Sequence, residues 1–176
     1  MSKAALRKEL ALMTPGQLTE VILEAYDSRR EIRDYFEYFL NPQPLKLLEK
    51  AGENIAKELN RSSRGHSKAR ITRIRAEIKK VADYRPGAEY VIKVIADTLR
   101  MLAGAESWYR FPPTLYNGTA RIISDLIAYA QNHECLGDAI KAVDELIASG
   151  HGRNAFRNFI RNSAEEALAA IAAKGR

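Results

Sequence analysis

The chain has 176 residues, 46% of them apolar and 28% charged, with a formal net charge of +6 and a single cysteine, Cys135. This composition excludes a chain disordered throughout and any internal disulfide framework, and the length suits one helical domain over residues 1–176 that buries roughly two thirds of its unfolded surface. No stretch reaches the about 20 uninterrupted apolar residues of a membrane span, and the opening MSKAALRKELALM contains no apolar signal core, so a soluble cytoplasmic protein with no membrane contact is expected.

Apolar residues recur at helical spacing from the start. Residues 2 to 12 read as a short first helix. Thr14, Pro15 and Gln17 then supply an N-cap, a first-turn proline and a capping-box partner for a second. Leu18, Val21, Ile22, Ala25 and Tyr26 form one stripe and Ile32, Tyr35, Phe36, Phe39 and Leu40 the next, both at i, i+3, i+4, i+7 spacing. Asn41-Pro42 ends the third helix, because the residue before a proline is driven out of the helical region.

A fourth helix spans about Pro44 to Leu59, burying Leu45, Leu48, Ile55 and Leu59. The polar stretch Arg61 to Ser67 reads as a loop, with Ser67 capping a fifth helix striped by Ile71, Ile74, Ile78 and Val81. Arg85-Pro86-Gly87 breaks the chain before a sixth helix, which is apolar on several sides and so the most buried. Its run Tyr90 to Ile95 is β-branched enough to suit a strand, but the 3.6 period continues for four turns. An aromatic and proline-rich connection, Trp108 to Pro113, precedes a seventh helix. Gly137-Asp138 starts an eighth, closed by Gly150, and the ninth holds Phe156, Phe159, Ile160 and Leu168. The fold class expected is all-α, about nine helices stacked as antiparallel hairpins in an irregular bundle or a short α-solenoid.

The segment LRKELALMTPGQLTEVILEAYDSRREIRDYFEYFLNP, residues 6 to 42, resembles the start of a family of small all-helical bacterial proteins classed as a domain of unknown function. Weaker echoes are KARITRIRAEIKK, the LYNG at Leu115 to Gly118 and SGHGRNAF, where His151 stands in an aromatic position. The resemblance implies a helical fold and brings no activity, cofactor or catalytic residue.

Charge is the one functional signal. Residues 61 to 80 hold eight Lys or Arg against one Glu, a local +7, so the other 156 residues sum to about −1. Such asymmetry suits an anionic partner, and it also suits a solvated helix and loop. Arg61, Arg64, Lys68, Arg70 and Arg73 are the candidate contacts here, with Arg75, Lys79 and Lys80 distributed around the fifth helix. In GRNAFRNFIRNS, Arg153, Arg157 and Arg161 recur every four residues beside Asn154, Asn158 and Asn162. Three arginines at a helix start oppose its dipole, which calls for an anion or for carboxylates such as Asp138, Asp144 or Glu145. Trp108, Tyr109, Phe111, Pro112, Pro113 and Tyr116 form an aromatic loop that could stack on a base or pack a peptide, although such a loop is expected to fold back over the core.

Other constellations carry less. His133 and Cys135, even with His151, match no metal-site spacing, and the adjacent pairs Asp144-Glu145 and Glu165-Glu166 diverge by about 100° on a helix. The reading is therefore a non-enzymatic helical protein-interaction module, without cofactor or metal, whose basic surface meets an acidic protein or its own copies. A nucleic-acid-binding protein using segment 61–80 and the arginine row is the alternative, and an enzyme without a recognisable motif stands third.

Overall fold

The structure, a computed structural model, describes residues 1–174. Gly175 and Arg176, which the single-domain reading includes, lie outside the described residues. Nine α-helices and one minimal hairpin are described, so the all-α expectation holds. Their contacts divide the chain into two compact units, Met1–Gln43 and Pro44–Arg176, where the sequence reading has one domain.

Unit 1 contains α1 (Lys3–Ala11), α2 (Pro15–Ser28) and α3 (Arg30–Leu40). Ser2 caps α1, and the Thr14–Gln17 capping box opens α2 in both directions. The α2–α3 pair is tied at its edge: the Tyr26 hydroxyl donates to Glu37 Oε1 at 3.3 Å, and the Arg33 guanidinium lies 5.2 Å from the Tyr26 ring centroid. None of the three helices has a buried residue.

Unit 2 contains α4 (Pro44–Leu59), β1 (Ser62–Ser63), β2 (His66–Ser67), α5 (Ile71–Asp83), α6 (Ala88–Trp108), α7 (Pro113–Asn132), α8 (Leu136–Ala148) and α9 (Asn154–Lys174). Helix α6 packs against α4, α5, α7, α8 and α9. Unit 2 is thus a helical bundle centred on α6. Residues Tyr90 to Ile95 lie inside α6, and the strand alternative is set aside. The core includes Ile55, Ile74, Leu99, Leu102, Ile123, Leu126, Leu146, Phe156 and Ile160. Gly150 follows α8 at φ 74°, the left-handed residue that a helix end requires.

Two expectations fail at the start of α5. The segment read as a loop is a two-residue hairpin pairing Ser62 with Ser67 and Ser63 with His66; its turn residues Arg64 and Gly65 both have positive φ, at 50° and 77°. Ser67 is consequently a strand residue and not the cap. Helix α5 starts at Ile71, and the Ser67 hydroxyl accepts instead from the Ala69 amide at 3.3 Å. Leu45, expected in the core, is exposed.

The start of α5 presses on α7 at Gly118, where a Cβ would lie 2.1 Å from Ile71 Cγ1. Gly118→Ala is expected to destabilise unit 2 by about 1–3 kcal/mol through overpacking. Gly104, also helical, has nothing within 4 Å of such a Cβ, so Gly104→Ala should be neutral or stabilising by up to about 1 kcal/mol. Thermal melts of the two variants should move in opposite directions, and equal losses would mean that the α5–α7 contact is not tight.

Candidate binding surface

The hairpin is not isolated in unit 2. The Arg110 amide donates to the Gly65 carbonyl at 2.8 Å, and the Ser67 amide donates to the Arg110 carbonyl at 2.9 Å, so residues just after α6 run beside His66. Arg153, ahead of α9, donates through Nη2 to the Ser107 carbonyl at 3.4 Å. Three distant parts of the sequence, around residues 64, 108 and 153, thus meet at one place.

Their charge is one-sided. Residues 59–76, 107–124 and 146–164 contain no Asp or Glu and eleven Lys or Arg. Of the acids that border these stretches, Glu58 and Glu106 are buried, 8% and 4% exposed, whereas Glu77 is half-buried and Asp125, Glu145 and Glu165 are exposed. The two buried ones lie beneath the basic side chains, pairing with Arg61, Arg70, Arg73 and Arg153.

Glu58 is held by arginines. Its Oε1 accepts from the Arg70 backbone amide at 2.8 Å, from Arg70 Nε at 3.1 Å and from Arg61 Nη1 at 2.8 Å. Its Oε2 accepts from Arg70 Nη2 at 3.3 Å and lies 3.9 Å from Arg73 Nη1. The Arg70 guanidinium, more than any other neighbour, holds this carboxyl at about 2, against an ordinary 4.5, and overcomes the opposing effect of burial. Arg61, Arg70 and Arg73 are thereby anchored to the carboxylate.

Glu106 is bound more sparsely. Its Oε1 accepts from the Tyr116 hydroxyl at 3.3 Å and pairs with Arg153 Nη1 at 3.7 Å, while Oε2 has no hydrogen-bond partner among the described residues. Burial first, and then Glu106, raises the Tyr116 phenol above its ordinary range. Tyr116 also packs edge-on to Phe111, Phe156 and Phe159. This aromatic group is what covers the core.

Trp108 does not. It ends α6, 82% exposed; of the aromatic loop expected to cover the core, Phe111 and Tyr116 pack against it and Trp108 does not. Tyr109 is half-buried beside it. Arg64, Lys68 and Arg110 are exposed around this end, and none forms an ion pair among the described residues.

The arginine row does not act as a row. Arg153 takes part in this surface. Arg157 turns back, donating from Nη1 to the carbonyls of Gly150 and Gly152 at 2.6 and 2.8 Å and from Nη2 to Asn154 Oδ1. Arg161 donates to Asn158 Oδ1 at 3.1 Å and lines an α8–α9 cleft with Asp144 and Glu165. The expected pairing with Asp138, Asp144 or Glu145 is not found. The partners are Glu106 and loop carbonyls, because the α8–α9 connection brings backbone oxygens to the start of α9, where they offset the positive charge.

Elsewhere, Arg75 pairs with Asp125 at 2.8 Å and Lys79 with Asp83 at 2.7 Å, so these cations of α5 are matched by acids. Burial pushes the Cys135 thiol up, and its Sγ donates to the Ala130 carbonyl at 3.6 Å, while the His133 ring lies 4.2 Å from that of Tyr129. Among the described residues no three His, Cys, Asp or Glu gather as a metal site, and no helix is long and apolar enough to cross a membrane.

Fold and surface together define an all-α protein with a basic, tryptophan-bearing end on its larger unit. Comparison with protein-family models, with curated proteins and with solved structures gives no match.

Proposed function

We propose that the protein is a non-enzymatic interaction module, and that the hairpin end of unit 2 docks an acidic segment of a partner protein. The observation that carries this reading is the convergence of three acid-free stretches around an exposed tryptophan, with Glu58 and Glu106, the carboxylates that pair with arginines there, buried. Trp, Tyr and Arg are the side chains most enriched among those that dominate protein interfaces, Trp through its large rigid ring and Arg through its planar fork of donors. Arg64, Lys68 and Arg110 supply the rim that attracts the acid, and Arg153 is held in place by Glu106 and Ser107. The single thiol and the lack of any disulfide fit a reducing compartment, and we place the protein in the cytoplasm. We also propose, from the resemblance of residues 6 to 42, kinship with the family of small all-helical bacterial proteins classed as a domain of unknown function.

One observation favours a second reading. An exposed indole beside three cations also suits a stacked base flanked by phosphates, as in single-stranded nucleic acid. Against it, Arg61, Arg70, Arg73 and Arg157 are engaged internally, which leaves few cations for phosphates, and non-specific affinity grows with the number of phosphates neutralised.

Trp108 is the only tryptophan, so its fluorescence reports on this surface alone. A glutamate-rich peptide is expected to shift its emission, with binding that weakens as salt is raised. The triple variant Arg64→Gln, Lys68→Gln, Arg110→Gln should weaken binding by about tenfold or more, three rim cations contributing up to ~1 kcal/mol each. A response to oligothymidylate but not to the peptide would replace the first reading with the second, and silence toward both would remove each.

A further inference from the structure

Unit 1 has apolar faces that it does not bury. In α3, Phe39 is 65% and Leu40 79% exposed, and Leu6, Val21, Ile22 and Leu23 are exposed as well. Helices of 9 to 14 residues draw their stability from burying such a face, since propensity alone leaves short helices marginal in water. A unit of this size is also near the limit below which a chain needs burial from outside itself.

The charges of the unit complement one another. Helix α1 carries Lys3, Arg7 and Lys8 against Glu9 alone, whereas the only charges of α2 are Glu20, Glu24 and Asp27. Lys3 and Arg7 are four residues apart, as are Glu20 and Glu24, so each pair shares a helix face at the same spacing. Among the described residues, neither Lys3, Arg7 and Lys8 nor Glu20 and Glu24 form an ion pair, so this match is not made within unit 1.

We propose that unit 1 is a self-association element through which two copies of this chain pair. The basic face of α1 in each copy lies along the acidic face of α2 in the other, while Ile22, Phe39 and Leu40 of the two copies close over one another. A two-fold arrangement forms both seams at once, because each contact occurs twice. Charge argues for a second copy over a foreign partner. Residues 1–43 hold six basic and seven acidic side chains, a sum of −1, so the remainder carries +7 and two chains repel least where their first units meet. A foreign partner would have to present an acidic and a basic strip in matching order; a second copy does so by construction. The proposal rests on unit 1 alone and is independent of the Trp108 surface.

Light scattering on the full chain is expected to give twice the 19.8 kDa monomer mass at micromolar concentration. Phe39→Glu with Leu40→Glu should yield a monomer whose Trp108 response to the acidic peptide is unchanged. Glu20→Lys with Glu24→Lys should raise the dimer dissociation constant by about tenfold or more, and adding Lys3→Glu with Arg7→Glu should restore it. That restoration separates a lost interface from a lost fold. A monomer at every concentration, or a dimer indifferent to Phe39→Glu with Leu40→Glu, would overturn the proposal. So would recovery of helix content in the fourfold variant without recovery of the dimer, which would place the α1–α2 match inside one chain.

Discussion

Leu99→Ala is expected to lower the stability of unit 2 by about 2–5 kcal/mol, against under about 0.5 kcal/mol for Arg73→Ala. Leu99 sits in α6, only 1% exposed, on the helix that packs against five others, so truncation leaves a cavity that no single neighbour can close by moving. Arg73 is mostly in solvent and stands 3.9 Å from Glu58, the outermost of that carboxylate's three arginines. Its removal leaves Arg61 and Arg70 in place. Urea unfolding followed by circular dichroism should separate the two midpoints clearly. Coincident midpoints would mean that α6 is not the centre of the bundle.

The helices were legible because their signals are local. The Thr14–Gln17 capping box, the break at Arg85-Pro86-Gly87 and the left-handed Gly150 are each read from a few adjacent residues. The hairpin at Ser62 to Ser67 was not legible, since SSRGHS has neither apolar alternation nor an Asn-Gly type turn, and much of its hydrogen bonding goes to Arg110, over forty residues away. The stripes of α2 and α3 are clear helix faces, yet none of their residues is buried and half are exposed. Periodicity states that a face needs cover; it does not say which surface supplies it.

The candidate surface was half legible, and the missing half was carboxylates. Glu58 follows Ile55 at i+3, and Glu106 follows Leu99, Leu102 and Ala103 at i+7, i+4 and i+3, so both lie on apolar stripes where an unpaired charge is costly. A glutamate on such a stripe announces a cationic partner. Read that way, it would have assigned part of the basic segment and of the arginine row to internal pairing, leaving Arg64, Lys68 and Arg110 as the unpaired remainder. Trp108 carried no such signal, because nothing local in the sequence distinguishes it from Phe111 and Tyr116, which join the aromatic cluster.

Glu58→Gln is expected to cost on the order of 2 kcal/mol at neutral pH, with a difference from the unmodified protein that disappears in acid. Folding lowers the Glu58 carboxyl from an ordinary 4.5 to about 2, so the folded state favours the ionised form. Such a group stabilises fully above its unfolded value and loses that contribution as pH falls from about 4.5 through about 2. A depression of this size corresponds to roughly 3 kcal/mol, and the Arg61 and Arg70 side chains, each 44% exposed, let solvent screen part of it. Glutamine still accepts from the Arg70 amide, so what it removes is mainly the charge. Urea unfolding of both proteins at neutral pH and near pH 3 tests this, since the gap should narrow at the lower value. Arg70→Gln should move the acid limb of the stability profile upward, because the principal stabiliser of the carboxylate is gone. A gap that stays constant across this range would mean that the charge on Glu58 contributes nothing, and that its arginines could be released to an external anion.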